Sequence, residues 1–113
     1  MVIIVTSSYI HGKRIVKTFG MVRGNTVRAR HVGKDILAMF RNVVGGEVQE
    51  YTKMLAEARE QALDRMMQAG QRLGANAVVD VRFGTAEVMS GAAEIIAYGT
   101  AILVEDEDET DTD

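Results

Sequence analysis

A chain of 113 residues with 47% hydrophobic and 26% charged side chains has the size and composition of one soluble globular domain. It contains no cysteine, which excludes disulfides, thiolate metal centres and a cysteine nucleophile. It contains no proline either, so its turns rely on glycine, asparagine and serine.

The net charge of −3 conceals a segregation along the chain. Residues 1–46 carry +7, residues 47–104 carry −3 and residues 105–113 carry −7. An acidic block of that density repels itself and is expected to be disordered. The chain therefore divides into a single domain, 1–104, and an acidic tail, 105–113. No apolar run reaches the length of a membrane span, and Met1-Val2-Ile3-Ile4-Val5 lacks the basic flank of a leader. A cytoplasmic protein without membrane contact is the expectation.

Val2 to Thr6 is a short apolar run and reads as a buried strand. Ser7, Ser8 and His11-Gly12 follow as turn material. Arg14 to Val22, with Ile15, Val16, Thr18 and Phe19, reads as a second strand, which Gly24-Asn25 is expected to break. Thr26 to Gly33 is irregular and basic. Apolar residues at 36, 37, 40, 43 and 44 predict a short helix over 34–44, stopped by Gly45-Gly46.

The main helix is predicted from Glu47 to Leu73. Its apolar residues at 51, 54, 55, 58, 62, 66, 69 and 73 recur at steps of three and four, with Leu63 and Met67 widening the stripe. At 1.5 Å per residue it is about 40 Å long, more than so small a domain covers alone. From Ala77 the period becomes two: Val79, Val81 and Phe83 are expected on one face, Asp80 and Arg82 on the other. Ser90-Gly91 turns the chain into a last strand, Ala93 to Val104. That strand is apolar on both faces, with Ile95, Ala97, Ala101 and Leu103 against Ile96, Tyr98, Ile102 and Val104. One helix covers one face, so packing between subunits is expected on the other. The fold class is α+β, an antiparallel sheet of four strands on one long helix with a short helix before it.

Several residue groups then fall into a family order. Val22-Arg23-Gly24, Lys34-Asp35, Arg41-Asn42-Val43-Val44-Gly45-Gly46, Tyr51, Leu55, Ala58-Arg59, Ala62, Leu73 to Val79 and Gly99-Thr100-Ala101 together resemble the YbjQ-like family. Its members are small bacterial and archaeal proteins labelled heavy-metal-binding and otherwise uncharacterised. The resemblance implies an α+β subunit that assembles into a pentameric ring, and a divalent or soft metal ion as its only suggested cofactor. Three positions depart from it. Glu47 stands where many members carry a basic residue, Asp80 where many carry glycine, and Phe83-Gly84 where many carry an acidic–aromatic pair.

Each candidate site has a structural alternative. Gly45-Gly46 before a helix resembles an anion cradle, but Glu47 and Glu50 compete for the same positive end, and a helix-to-helix turn accounts for the glycines. His11 and His31 are the only imidazoles, and nothing has metal-ligand spacing. Of the seven methionines, Met54 and Met66 lie on the helix stripe and read as core. Arg23, Arg28, Arg30, His31 and Lys34 form a basic cluster suited to phosphate groups, or to ion pairs with the acidic helix of a neighbouring subunit. With no aromatic residue among them and an acidic tail opposing a polyanion, nucleic acid is disfavoured. Tyr51 and Arg59, two helical turns apart, point in similar directions and serve either a cavity or a subunit interface. No catalytic constellation is visible.

The residues taken forward as a small-anion site are Arg28, Arg30, His31, Tyr51 and Arg59. The leading expectation is a non-enzymatic homo-oligomeric ring that binds a small ligand or heavy-metal ion between subunits. The alternative is a scaffold whose acidic tails engage a basic partner.

Overall fold

The computed structural model describes residues 1–28, 46–89 and 92–107. The chain runs β1 (Ile3–Ile4), β2 (Lys13–Arg28), α1 (Gly46–Leu73), β3 (Ala77–Met89) and β4 (Ala92–Asp106). These strands form one sheet in the order β1-β3-β4-β2. The predicted short helix 34–44, residues 29–33 and the turn 90–91 lie outside the described residues.

The sheet is mixed, which corrects the all-antiparallel expectation. β4 is antiparallel to both β2 and β3, whereas β1 is parallel to β3, with Ile3 opposite Ala77 and Ile4 opposite Val78. β2 and β3 thus run the same way, and α1 is the crossover between them, as a parallel relation requires. β1 and β2 sit at opposite edges, so the segment between them has to traverse the sheet.

α1 starts one residue before its predicted first position. Ala58, Ala62, Met66 and Gly70, spaced by four, are buried against the sheet. Small residues let the helix lie close. A Cβ on Gly24 would fall 2.2 Å from the Ala62 carbonyl oxygen and 2.4 Å from the Met66 nitrogen. This corrects the reading of Gly24-Asn25 as a break: β2 continues to Arg28, and the glycine is there because the helix backbone passes over it. The Thr26 hydroxyl, buried in the same seam, donates to the Ala58 carbonyl at 3.1 Å.

The helix closes on a left-handed glycine, Gly74, at φ 97°. Gly74 N–H donates to the Gln71 carbonyl and Ala75 N–H to the Gly70 carbonyl, both at 3.0 Å. That pair of bonds is the Schellman termination. Asn76 then ties the chain to β4 like one more strand residue. Its amide donates to the Val104 carbonyl at 2.9 Å and accepts from the Val104 N–H at 2.8 Å. Leu73, predicted on the helix stripe, is half exposed, because the chain has already begun this turn.

Two apolar layers sandwich the sheet. Val22, Val78, Val81, Ile95, Ala97 and Ala101 pack beneath α1 with Ala58, Ala62 and Met66. On the opposite face Ala77, Val79, Ile102 and Val104 pack against Ile3, Val5 and Ile10. Val79 and Val81 therefore lie on opposite faces, against expectation. The cause is a bulge: Asp80 adopts φ 56°, and the pairing slips by one residue between Val79 and Arg82. A single extra residue inverts the alternation beyond it.

Candidate functional site

The face of the sheet opposite α1 is unequally covered. Over its lower half the segment from β1 to β2 crosses and buries Ala77, Val79, Ile102 and Val104. Lys13 N–H donates to the Ile10 carbonyl and Glu107 N–H to the Gly12 carbonyl, each at 3.0 Å, which holds the crossing in place. The chain itself therefore covers much of the second apolar face of β4. Over the upper half nothing among the described residues lies above the sheet. Met21 is 70% exposed, Val27 55% and Tyr98 38%.

This bare half carries a row of three polar side chains. Arg23 on β2 and Arg82 on β3 each stand directly opposite Tyr98 on β4, and direct cross-strand partners share a face. In the next row Asn25 and Gly84 flank Ile96. The bulge puts Arg82 into this row. Without it the side chain would point to the helix side. Arg82 is anchored at the sheet margin, donating to the carbonyls of Thr6 and Val81 at 2.9 Å each. Ser8 fastens the bulge by donating to the Asp80 carboxylate at 2.8 Å.

On the helix side, an open groove of about 540 Å³ is lined by Ile4, Val5, Thr6, Ser7, Leu63, Val81 and Phe83. It exists because α1 lies over β2 and β4 and leaves β3 beyond the bulge uncovered. Phe83 is 46% exposed there.

The residues singled out from the sequence are only partly brought together. Arg28 is the last residue of β2, paired with Ala93. Arg59 is exposed on α1 next to Ala58, the residue that meets Thr26, so Arg28 and Arg59 lie at the same end of the molecule. Tyr51 is on α1 nearer its N-terminus. Arg30, His31 and Lys34 fall outside the described residues. His11 is exposed in the turn before β2. Among the described residues no three His, Asp or Glu side chains gather where a metal ion would sit. Nor is any described helix long and apolar enough to cross a membrane. Sequence reasoning missed the Arg23–Tyr98–Arg82 row. It placed Arg82 beside Asp80 by simple alternation, which the bulge at Asp80 overturns.

Comparison with known proteins agrees with this architecture. The family model described as "Putative heavy-metal-binding" matches residues 2–105. A UPF0145 protein of Methanosarcina acetivorans is 58% identical over 102 residues, covering 90% of this chain and 96% of that one. A UPF0145 protein of Thermococcus kodakarensis is 55% identical over 107 residues, covering 95% of each. A crystal structure of a DUF74-family protein of unknown function from Pediococcus pentosaceus shares the fold. It superposes with a TM-score of 0.62 at 15% identity, over 92% of this chain and 98% of that one.

Proposed function

The chain belongs to the YbjQ-like family, and on that premise we propose that it acts as a non-enzymatic homo-oligomeric ring, a pentamer, that binds a small anionic ligand or a heavy-metal ion between subunits. The observation that carries this reading is the pair of uncovered sheet edges. Among the described residues the outer edge of β2 has no partner strand, and β1 pairs only with the start of β3, leaving Arg82 to Met89 open on that side. Joining the β2 edge of one copy to the β3 edge of the next is a head-to-tail contact, the kind that closes into a ring. The apolar groove at Phe83 lies beside one of these edges and would be covered by the same contact.

A ligand between subunits would be met by Arg28, Arg30, His31, Tyr51 and Arg59, of which Arg28 and Arg59 lie at one end of the subunit. A metal ion would need donors from several copies, with His11 or His31 repeated around the axis. Native mass spectrometry of the purified protein tests the ring and any retained ligand together. A five-fold mass is expected, and a monomer overturns the reading. Calorimetric titration with zinc, copper and nickel tests the metal, and absence of a saturable heat removes it. Arg28→Ala and Arg30→Ala are expected to abolish inter-subunit ligand binding while leaving the assembly intact.

The −7 tail favours a second reading, a scaffold for a basic partner. Deleting residues 108–113 separates the two: a ligand-binding ring keeps its ligand, whereas a scaffold loses its partner.

A further inference from the structure

The upper half of the sheet, uncovered among the described residues, presents two arginines without an ion pair there, one on either side of an aromatic ring. Two strand spacings place the Arg23 and Arg82 Cα atoms about 10 Å apart, with Tyr98 between them. The ion pairs of the described residues lie elsewhere, at Lys13–Asp106 and Arg14–Glu105. The two carbonyls that hold Arg82 orient its guanidinium without cancelling its charge. They engage one of its nitrogens and leave the remaining N–H donors for a ligand. Arg23 is exposed and has no partner among the described residues.

Around this row the surface is open and its acids are committed. A Cβ at Gly84 would meet nothing within 4 Å, so the floor beside Ile96 is flat and free. Glu94 accepts from the Asn25 amide at 2.8 Å, and Asp80 accepts from Ser8. The Tyr98 hydroxyl makes no hydrogen bond among the described residues.

We infer that the Arg23–Tyr98–Arg82 row binds a small organic anion that carries a planar group, of which a nucleoside monophosphate is the simplest example. The phosphate is met by the exposed Arg23 guanidinium, whose fork geometry suits its oxygens, while Arg82, held at the sheet margin toward β1, adds positive charge on the other side of the ring. The plane of the base lies on Tyr98 and the floor formed by Ile96 and Gly84, as bases lie on aromatic residues of open sheets. The site belongs to one subunit and does not rest on the ring.

Calorimetry of the full chain at low salt with AMP, ribose 5-phosphate and inorganic phosphate tests it. AMP is expected to bind saturably, one per chain, with ribose 5-phosphate weaker and inorganic phosphate weakest. Arg23→Ala should weaken AMP about tenfold or more, the worth of a charge-assisted hydrogen bond. Tyr98→Leu should erase the preference for AMP over ribose 5-phosphate. Arg82→Ala also frees the Thr6 carbonyl and risks the fold, whereas Arg23 has no hydrogen bond or ion pair to lose among the described residues, so Arg23→Ala decides. No saturable AMP binding, or binding unchanged in Arg23→Ala, overturns the inference. Loss of AMP in Arg28→Ala with retention in Arg23→Ala assigns the anion to the other site and overturns it equally. A monomeric native mass would leave this site standing while removing the ring.

Discussion

Two glycines on opposite faces of the sheet are there for different physical reasons. At Gly24 the obstacle is backbone: a methyl would meet the Ala62 oxygen at 2.2 Å and the Met66 nitrogen at 2.4 Å, neither of which can rotate away. Gly24→Ala must push α1 off β2, and the expected loss is about 3 kcal/mol, the upper end of what overpacking costs. Gly84 has open space and no left-handed angle. Gly84→Ala only removes a flexible residue from a strand interior, and a gain of about 0.5 kcal/mol is expected. Urea unfolding of both variants measures the contrast, and equal effects would show that α1 is not seated as described. Asp80 belongs to a third kind, a side chain held at φ 56° that aspartate tolerates better than most residues.

Among the elements, α1 was legible because its stripe of apolar and small residues follows the helical period for about six turns, and its boundary was missed by one residue. The Schellman termination at Gly74 was legible too, since a glycine directly after a periodic run marks a helix end. β2 was cut short because glycine inside a strand has two meanings, a break or a close approach, and only the position of Ala62 tells them apart. The bulge was hidden by its residue type, so faces were assigned wrongly from Val81 onward. The parallel pairing of β1 was out of reach for a different reason: two residues carry no register information. Candidate residues fared worse than elements. Tyr51 and Arg59 share a helix, but the row that meets Tyr98 comes from three strands distant in sequence.

The outer ends of β2 and β4 illustrate how little an exposed pair contributes to such an element. Lys13 hydrogen-bonds Asp106 and its charge adds to the effect, which together hold that carboxyl below the ordinary aspartate value of 3.8. A carboxyl lowered in the folded state contributes stability above its unfolded value, and that contribution disappears as pH falls through the folded value. Removing Lys13 should thus matter only above the acid range, and only slightly, because Asp106 is 83% exposed and solvent screens the pair. In Lys13→Ala the Asp106 carboxyl should titrate back at its ordinary value when followed by carbon-detected NMR. An unmoved titration would mean that the pair does not persist in solution.

At the scale of the molecule, shape adds to the argument for assembly that the open edges carry. The radius of gyration is 18.3 Å, and the principal extents are 62 × 26 × 18 Å. A compact domain of this length has a radius of about 13 Å. An elongated subunit buries a smaller share of its apolar surface, and here the exposed part is placed where strand edges are also open. Ile15 and Val16 are exposed on β2, and Phe83 is exposed beside β3. The groove that holds Phe83 contains Leu63, Ile4 and Val81, a largely apolar surface on which a lysine would be costly once covered but harmless when wet. Phe83→Lys should therefore leave the subunit folded and separate it from its neighbours. The expected result is a loss of the multi-subunit mass in native mass spectrometry, with far-UV circular dichroism unchanged. If the assembly survives, the groove faces solvent in the proposed ring, and the interface must be sought along β2. If the variant unfolds instead, Phe83 supports the core beneath α1 more than its exposure implies. The companion variant Ile15→Lys, at an exposed position of the opposite edge, then carries the test of edge-to-edge pairing.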